Sequence, residues 1–197
     1  MVEVLIVYYS VHGGVAQLAR RIARGVESVA DATAKIRTLP RVSAETEQLV
    51  DEIPSDGPPY ASLDDLRRCD AIALGSPTRF GNMAAPVKYF LDRTSEIWVN
   101  GELVGKPAGV FTSASSMHGG HESTLLSMQI PLLHHGMLVC GLPYTEAALH
   151  ETRRGGTPYG PSRLADSSND TLLDQTEETL AFALGQRLAT LAVKLKE

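Results

Sequence analysis

Cysteine is scarce in this chain. The two present, Cys69 and Cys140, each adjoin an apolar strand-like run and sit in no metal-binding or redox spacing. That disfavours a disulfide-stapled scaffold and predicts two buried thiols in a reducing compartment. Long apolar runs are also missing. The N-terminal run is too short for a signal-peptide core, lacks a cationic leader, and no stretch reaches the length of a membrane span. A cytoplasmic protein is therefore expected. Eighteen Lys and Arg against 23 Asp and Glu give a net charge of −5, and the cations form no basic stripe. Nucleic acid is disfavoured as a partner. A core is not lacking: 43% of the 197 residues are hydrophobic. That length predicts one domain over 1–197, with an elaboration.

The first thirty residues carry the strongest local pattern. Val4-Leu5-Ile6-Val7-Tyr8-Tyr9 is a nearly unbroken apolar run with β-branched and aromatic members, suited to a strand covered on both faces. Ser10-Val11-His12-Gly13-Gly14-Val15 breaks it. Val15, Leu18, Ala19, Ile22, Ala23, Val26 and Val29 then recur at helical spacing, predicting a helix over Ala16–Val29. A helix N-terminus behind a glycine turn offers open N–H groups and partial positive charge, so a phosphate is the natural guest.

Two missing signatures narrow the guest. Neither Gly-x-x-x-x-Gly-Lys-Ser/Thr nor Gly-x-Gly-x-x-Gly occurs here, which disfavours a P-loop triphosphatase and a Rossmann dinucleotide site. The next strand, Ala32–Leu39, carries Lys35 and Arg37 where a ribose-binding acid would stand. What remains is a mononucleotide phosphate held by a lysine-free Ser/Gly turn.

Pro40–Tyr60 reads as a long, partly helical surface connection. Ser62 and Asp65 resemble a capping box opening a short helix through Arg68. Ala71–Leu74 is the third strand and ends in a small-residue loop. Pro86 suits the first position of a helix burying Val87, Phe90 and Leu91, with Trp98 in the polar connection beyond. Ala108–Thr112 is the fourth strand, followed by the loop Ser113–His121. A helix over Glu122–His135 is expected to kink or split at Pro131. Met137–Cys140 is the fifth strand. Pro143–Asn169 is a Gly/Pro-rich excursion, long enough to be functional or part of an interface. Thr171 and Asp174 open a last helix with Leu180, Leu184, Leu188, Leu191 and Leu195 on its face. Five strand runs alternating with helices predict an α/β doubly wound parallel sheet with helices on both faces, for which 2-1-3-4-5 is one possible order. In that order the loops after the first, third and fourth strands meet at one edge.

The first strand and turn, Gly75-Ser76-Pro77-Thr78-Arg79-Phe80-Gly81-Asn82-Met83, His134-His135-Gly136-Met137, Arg154-Gly155-Gly156-Thr157-Pro158-Tyr159-Gly160 and Leu191-Ala192-Val193-Lys194-Leu195 resemble the WrbA family over essentially the whole chain. These are flavodoxin-like NAD(P)H:quinone oxidoreductases. The resemblance implies FMN held without a covalent bond, a homotetramer, and two-electron reduction of quinones by NADH or NADPH; with one aromatic-walled space for both, the two substrates are expected to bind in turn. It places Ser10, Val11, His12, Gly13, Gly14 and Val15 at the phosphate. Pro77, Thr78, Arg79, Phe80 and Gly81 then flank the isoalloxazine. Ser113, Ala114, Ser115, Ser116, Met117 and His118 run along its pyrimidine side, and His134 contacts the flavin. His12, Phe80 and Trp98 fall on the substrate side. His12 stands where the family usually has tyrosine, and the 113–121 loop is one residue longer.

The chemistry agrees with this assignment. Hydride transfer needs no dedicated acid–base pair, and none is evident. Phe80 and Trp98 offer flat apolar faces for nicotinamide and quinone rings. His118 and His121 have metal-pair spacing but no third ligand. Of the adjacent His134 and His135, one is expected at the site and one at the helix C-terminus. A one-electron carrier and a non-catalytic FMN-binding interaction protein are the alternatives. The long excursion and Trp98 speak against the carrier.

Overall fold

The computed structural model describes residues 1–42, 57–165 and 172–196. Most of the expected Pro40–Tyr60 connection, the end of the excursion at 166–169, and Thr171 lie outside the described residues. The first strand, β1 (Val2–Tyr8), sends Val4 and Ile6 into one apolar layer and Leu5 and Val7 into the other. All four are fully buried, which is why the run reads as continuous rather than alternating.

Strand β1 pairs in parallel with β2 (Ala32–Thr38) and with β3 (Ala71–Arg79). The two-residue strand β4 (Asn82–Met83) folds back antiparallel on the end of β3. Strand β5 (Pro107–Ala114) lies beyond β3, and the path through the sheet is β2-β1-β3-β5-β6. With β4 set aside as a hairpin, that is the expected order.

The expected count of five strands is corrected to seven segments. Besides the hairpin, the outer edge strand is in two pieces. Strand β6 (Leu138–Val139) pairs with Pro107 and Ala108 at the start of β5; β7 (Ser162–Leu164) pairs with Thr112, Ser113 and Ala114 at its end. The Cys140 N–H still donates to the Ala108 carbonyl at 2.7 Å, and the Thr112 N–H to the Pro161 carbonyl at 3.2 Å. Residues 141–160 leave the sheet between these two bonds.

Helices α1 (Gly14–Glu27) and α7 (Gln175–Lys196) cover one face. The other face is covered by α2 (Leu63–Arg68), α3 (Ala85–Asp92), α4 (Ser95–Val99) and α5 (His121–His134). A short α6 (Ala148–Glu151) sits within the excursion. Helices α1 and α7 meet backbone to backbone: a Cβ on Gly25 would lie 2.0 Å from the Phe182 carbonyl oxygen, and one on Gly185 would lie 2.0 Å from that of Ile22. Leu180, Leu184 and Leu188 are buried as expected, whereas Leu195 is exposed past the end of the core.

The capping box forms: the Asp65 N–H donates to Ser62 Oγ at 3.1 Å, and the Ser62 N–H to Asp65 Oδ2 at 2.9 Å. Asp65 also gathers the two cations of β2, with Lys35 Nζ at 3.0 Å and Arg37 Nε at 3.1 Å. Those cations serve the fold here. Burial alone would raise the Asp65 pKa, but the Ser62 N–H, Lys35, the Ser62 hydroxyl and Arg37 outweigh it and bring it down to about 2. Both cysteines are free and buried, and burial pushes the Cys69 thiol up to about 12.

Three local expectations change. Helix α1 begins at Gly14, two residues early, because the turn itself supplies its first positions. Trp98 lies in α4 rather than in an irregular connection. Helix α5 runs through Pro131 without a split. The proline stands in the last turn, where it removes one N–H donor, and the His135 N–H still donates to the Pro131 carbonyl at 3.1 Å.

Candidate functional site

The C-terminal ends of β1, β3 and β5 converge beside the point where the chain switches from one side of β1 to the other. A pocket of about 130 Å³ opens there. From the first turn it is lined by Ser10, Val11, His12, Gly14 and Val15; from the end of β3 by Pro77, Thr78 and Arg79; from the end of β5 by Ser113, Ala114 and Ser115. The three loops expected to meet do meet.

The floor of this pocket is the start of α1. Gly13 is its N-cap, at φ +85°, a conformation in which a side chain is strained. No side chain among the described residues caps the helix, and no acid stands in its first turn. The first N–H groups and their partial positive charge are thus left to the pocket. The Ser10 hydroxyl is buried there without a hydrogen-bond partner among the described residues. A Cβ on Gly14 would fall 2.8 Å from Arg163 Nη1 and 3.1 Å from Ser113 Oγ. An uncapped helix start, an orphan hydroxyl and a glycine at which no side chain fits suit an anion.

Arg163 and Ala165 also line the pocket, and the sequence reading missed both. They arrive on β7, after the excursion, with no local motif around them. The only signal was the length of the excursion itself.

Above the pocket, β3 and β4 form a tight hairpin, with Thr78 opposite Met83 and Arg79 opposite Asn82. Its two turn residues, Phe80 and Gly81, both have positive φ, +53° and +74°. For phenylalanine that costs about 1–2 kcal/mol. The Phe80 ring is fully exposed, and Arg79 reaches back to donate from Nη1 to the Thr78 carbonyl at 2.8 Å. The hairpin is anchored below by the Ala84 N–H donating to Ser76 Oγ at 2.8 Å and the Met83 N–H to Ser127 Oγ at 3.3 Å.

Of the loop after β5, Ser116, Met117 and His118 are exposed and do not line the pocket. The Gly119 N–H donates to the Ser116 carbonyl at 3.0 Å, and His121 Nε2 lies 3.2 Å from the same carbonyl. His121 is buried, and burial pulls its pKa down. It therefore anchors the loop, apart from the exposed His118, and no group of three or more metal-ligating side chains occurs among the described residues.

Trp98 and His134 stand elsewhere. They line a groove of about 820 Å³ with Met83, Lys88 and Ile130, and this groove shares no lining residue with the smaller pocket. Trp98 Nε1 donates to the His134 carbonyl at 3.0 Å, and the two rings lie 6.1 Å apart. His135, the C-cap, is turned inward with Nε2 2.8 Å from Thr94 Oγ1; burial first, then His134, lowers its pKa. Within one chain, Trp98 and His134 are thus set apart from the residues around the α1 turn.

A parallel sheet with this switch point and this turn defines a flavodoxin-like protein. The chain matches the family described as NADPH-dependent FMN reductase over residues 3–148 and belongs to it. Over 207 residues it is 40% identical to a protein of Solidesulfovibrio magneticus named NAD(P)H dehydrogenase (quinone), covering 98% of this chain and 99% of that one. A protein of the same name from Chromohalobacter salexigens is 42% identical, with 99% of each chain covered. Among solved structures, the WrbA-like flavodoxin from Agrobacterium tumefaciens superposes with a TM-score of 0.69 at 24% identity, covering 98% of this chain and 99% of that one. An archaeal flavodoxin gives 0.63 at 19% identity, with 99% of each chain covered.

Proposed function

We propose that this protein is an FMN-dependent NAD(P)H:quinone oxidoreductase that moves electrons in pairs. The observation that carries this reading is the start of α1: an uncapped helix behind Gly13, with the Ser10 hydroxyl buried and unpartnered beside it. That is a seat for a phosphate monoester, on a fold shared with flavodoxins and in a chain about 40% identical to named quinone dehydrogenases.

The residues divide by task. Ser10 to Val15 hold the phosphate; Thr78, Arg79, Phe80 and Gly81 flank the isoalloxazine; and Ser113 to His118 run along its pyrimidine side, with Ser113 to Ser115 lining the pocket. When bound, FMN supplies the two-electron chemistry that amino-acid side chains lack. The chain positions the reacting rings and shields them from water. Phe80 is held outward by a strained turn and presents an apolar face on which nicotinamide and quinone take turns.

Trp98 lines the groove beside Asn82 and Met83, and Phe80 does not; we infer that a second copy of the chain completes a space walled by both. Exposed Ile130, Leu133 and Tyr144, together with the Trp98 groove, support a homotetramer in which neighbouring chains complete each other's sites. The free buried cysteines support a reducing, cytoplasmic setting. No helix among the described residues is long and apolar enough to cross a membrane.

The test is steady-state oxidation of NADH or NADPH with benzoquinone by protein supplied with FMN. Parallel double-reciprocal lines are expected across quinone concentrations. Electron delivery to a one-electron protein acceptor without quinone turnover would overturn the reading.

A further inference from the structure

The turn after β1 contains no lysine or arginine, and Arg79, which also lines the pocket, turns its Nη1 back to the Thr78 carbonyl. We propose that Arg163 supplies the missing charge, as the residue that receives the FMN phosphate at the start of α1. The proposal rests on the FMN reading above and names a binding residue outside every motif that carries that reading.

Strand register puts Arg163 there. It lies opposite Ser113 in the parallel β5–β7 pairing, so the two side chains leave the sheet on the same face. Its neighbour Ser162 points elsewhere, accepting from the Gly156 N–H at 2.8 Å. From that register Arg163 reaches the helix start: a Cβ on Gly14 would meet its Nη1 at 2.8 Å and its Cδ at 3.4 Å. Its Nε donates to the Leu172 carbonyl at 3.3 Å, which anchors one edge of the guanidinium.

The surroundings point to an anion. Arg163 is only 4% exposed, and it shares its pocket with the positive end of α1. A guanidinium and a helix N-terminus lining one pocket both favour an anion over a neutral guest. The unpartnered Ser10 hydroxyl adds a third donor to the same pocket. At about 130 Å³ the pocket is well below the 300–1,000 Å³ typical of whole-ligand sites, so it suits an anchoring phosphate rather than a complete mononucleotide. A guanidinium also offers the fork that phosphate oxygens accept in pairs.

The experiment titrates the purified full-length protein with FMN and with riboflavin, which lacks the phosphate, following flavin fluorescence. In Arg163→Gln, FMN affinity should fall roughly ten- to a hundredfold, as for loss of a charge-assisted hydrogen bond. Riboflavin affinity should stay at the wild-type value, and inorganic phosphate should protect wild type but not the variant against thermal unfolding. Should the glutamine variant not fold, Arg163→Lys carries the test: it keeps the charge without the fork, and its smaller loss should fall on FMN alone. Unchanged FMN affinity, or equal losses for FMN and riboflavin, would overturn the proposal and leave Arg163 a structural residue. Wild-type protein that quenches neither flavin would instead overturn the FMN reading itself.

Discussion

The carboxylate of Glu177, fully buried in the first turn of α7, accepts the Leu164 N–H at 2.8 Å through Oε1. The same oxygen accepts the Gly155 N–H at 3.2 Å, and Oε2 accepts the Asp174 N–H at 3.2 Å. One acid thus ties both limbs of the excursion to the last helix. Burial pushes its pKa up, and these N–H donors oppose that shift.

Replacing this acid should loosen the cradle from a distance. Glu177→Ala leaves three backbone donors without their acceptor and should cost about 3 kcal/mol in urea unfolding. FMN affinity should fall as well, because β7 carries Arg163. Glu177→Gln keeps one acceptor oxygen and should lose less of both. An alanine variant of wild-type stability would show that the excursion is held by other contacts.

Phe80 should separate activity from stability. Its ring is fully exposed, so Phe80→Ala should change the unfolding midpoint little. Losing one aromatic face should lower kcat/KM for both NAD(P)H and quinone, by up to roughly tenfold. A loss confined to one substrate would show that the two use different surfaces.

Acid should weaken the β2 edge over a defined range. The Asp65 carboxyl titrates at about 2 in the folded chain against an ordinary value of 3.8. A depressed acid contributes stability above its unfolded pKa and loses it as pH falls through the folded one. Asp65 should therefore contribute about 2 kcal/mol at neutral pH, lost between about pH 4 and pH 2. Asp65→Asn should be less stable than wild type at pH 7 by about that amount, and the gap should close towards pH 2. A gap that stays constant with pH would assign the loss to packing instead.

The groove around Trp98 should respond to charge. Ile130 is 64% exposed on its wall, so Ile130→Glu should cost the single chain little. In an assembly that covers this groove, a buried unpaired carboxylate is strongly disfavoured. The variant should sediment as smaller species with an unchanged circular-dichroism spectrum. A wild-type sedimentation profile would place the contacts between copies on another face.

What was legible in the sequence was local. The first strand, turn and helix span fewer than thirty residues, and each announces itself by period or by glycine. The Ser62–Asp65 box is a four-residue pattern and was read directly. The doubly wound parallel sheet followed from alternation, and its strand order from the family resemblance. The missing parts depend on contacts between distant segments. Three-residue β7 has no period to detect, and its register with β5 is set by the Glu177 and Pro161 hydrogen bonds. Phe80 gives no sign of its positive φ, because the hairpin imposes a conformation its own side chain disfavours. Trp98 sits in a five-residue helix, too short to show a period. Pro131 misled because a proline signals a break wherever it falls, while its cost depends on how much helix remains beyond it.

The divided edge strand also sets a schedule during synthesis. By the time Val139 has left the ribosome, the sheet from β2 to β6 can assemble, with the glycine turn already on display. Arg163 and the Glu177 that fixes its strand have not yet emerged. At typical elongation rates they follow on the order of seconds later. At that stage α7, which covers one face of the sheet, is missing as well, so that face and the anion seat are completed together. Flavin uptake is therefore expected close to or after chain release, once β7 and α7 have closed on the sheet.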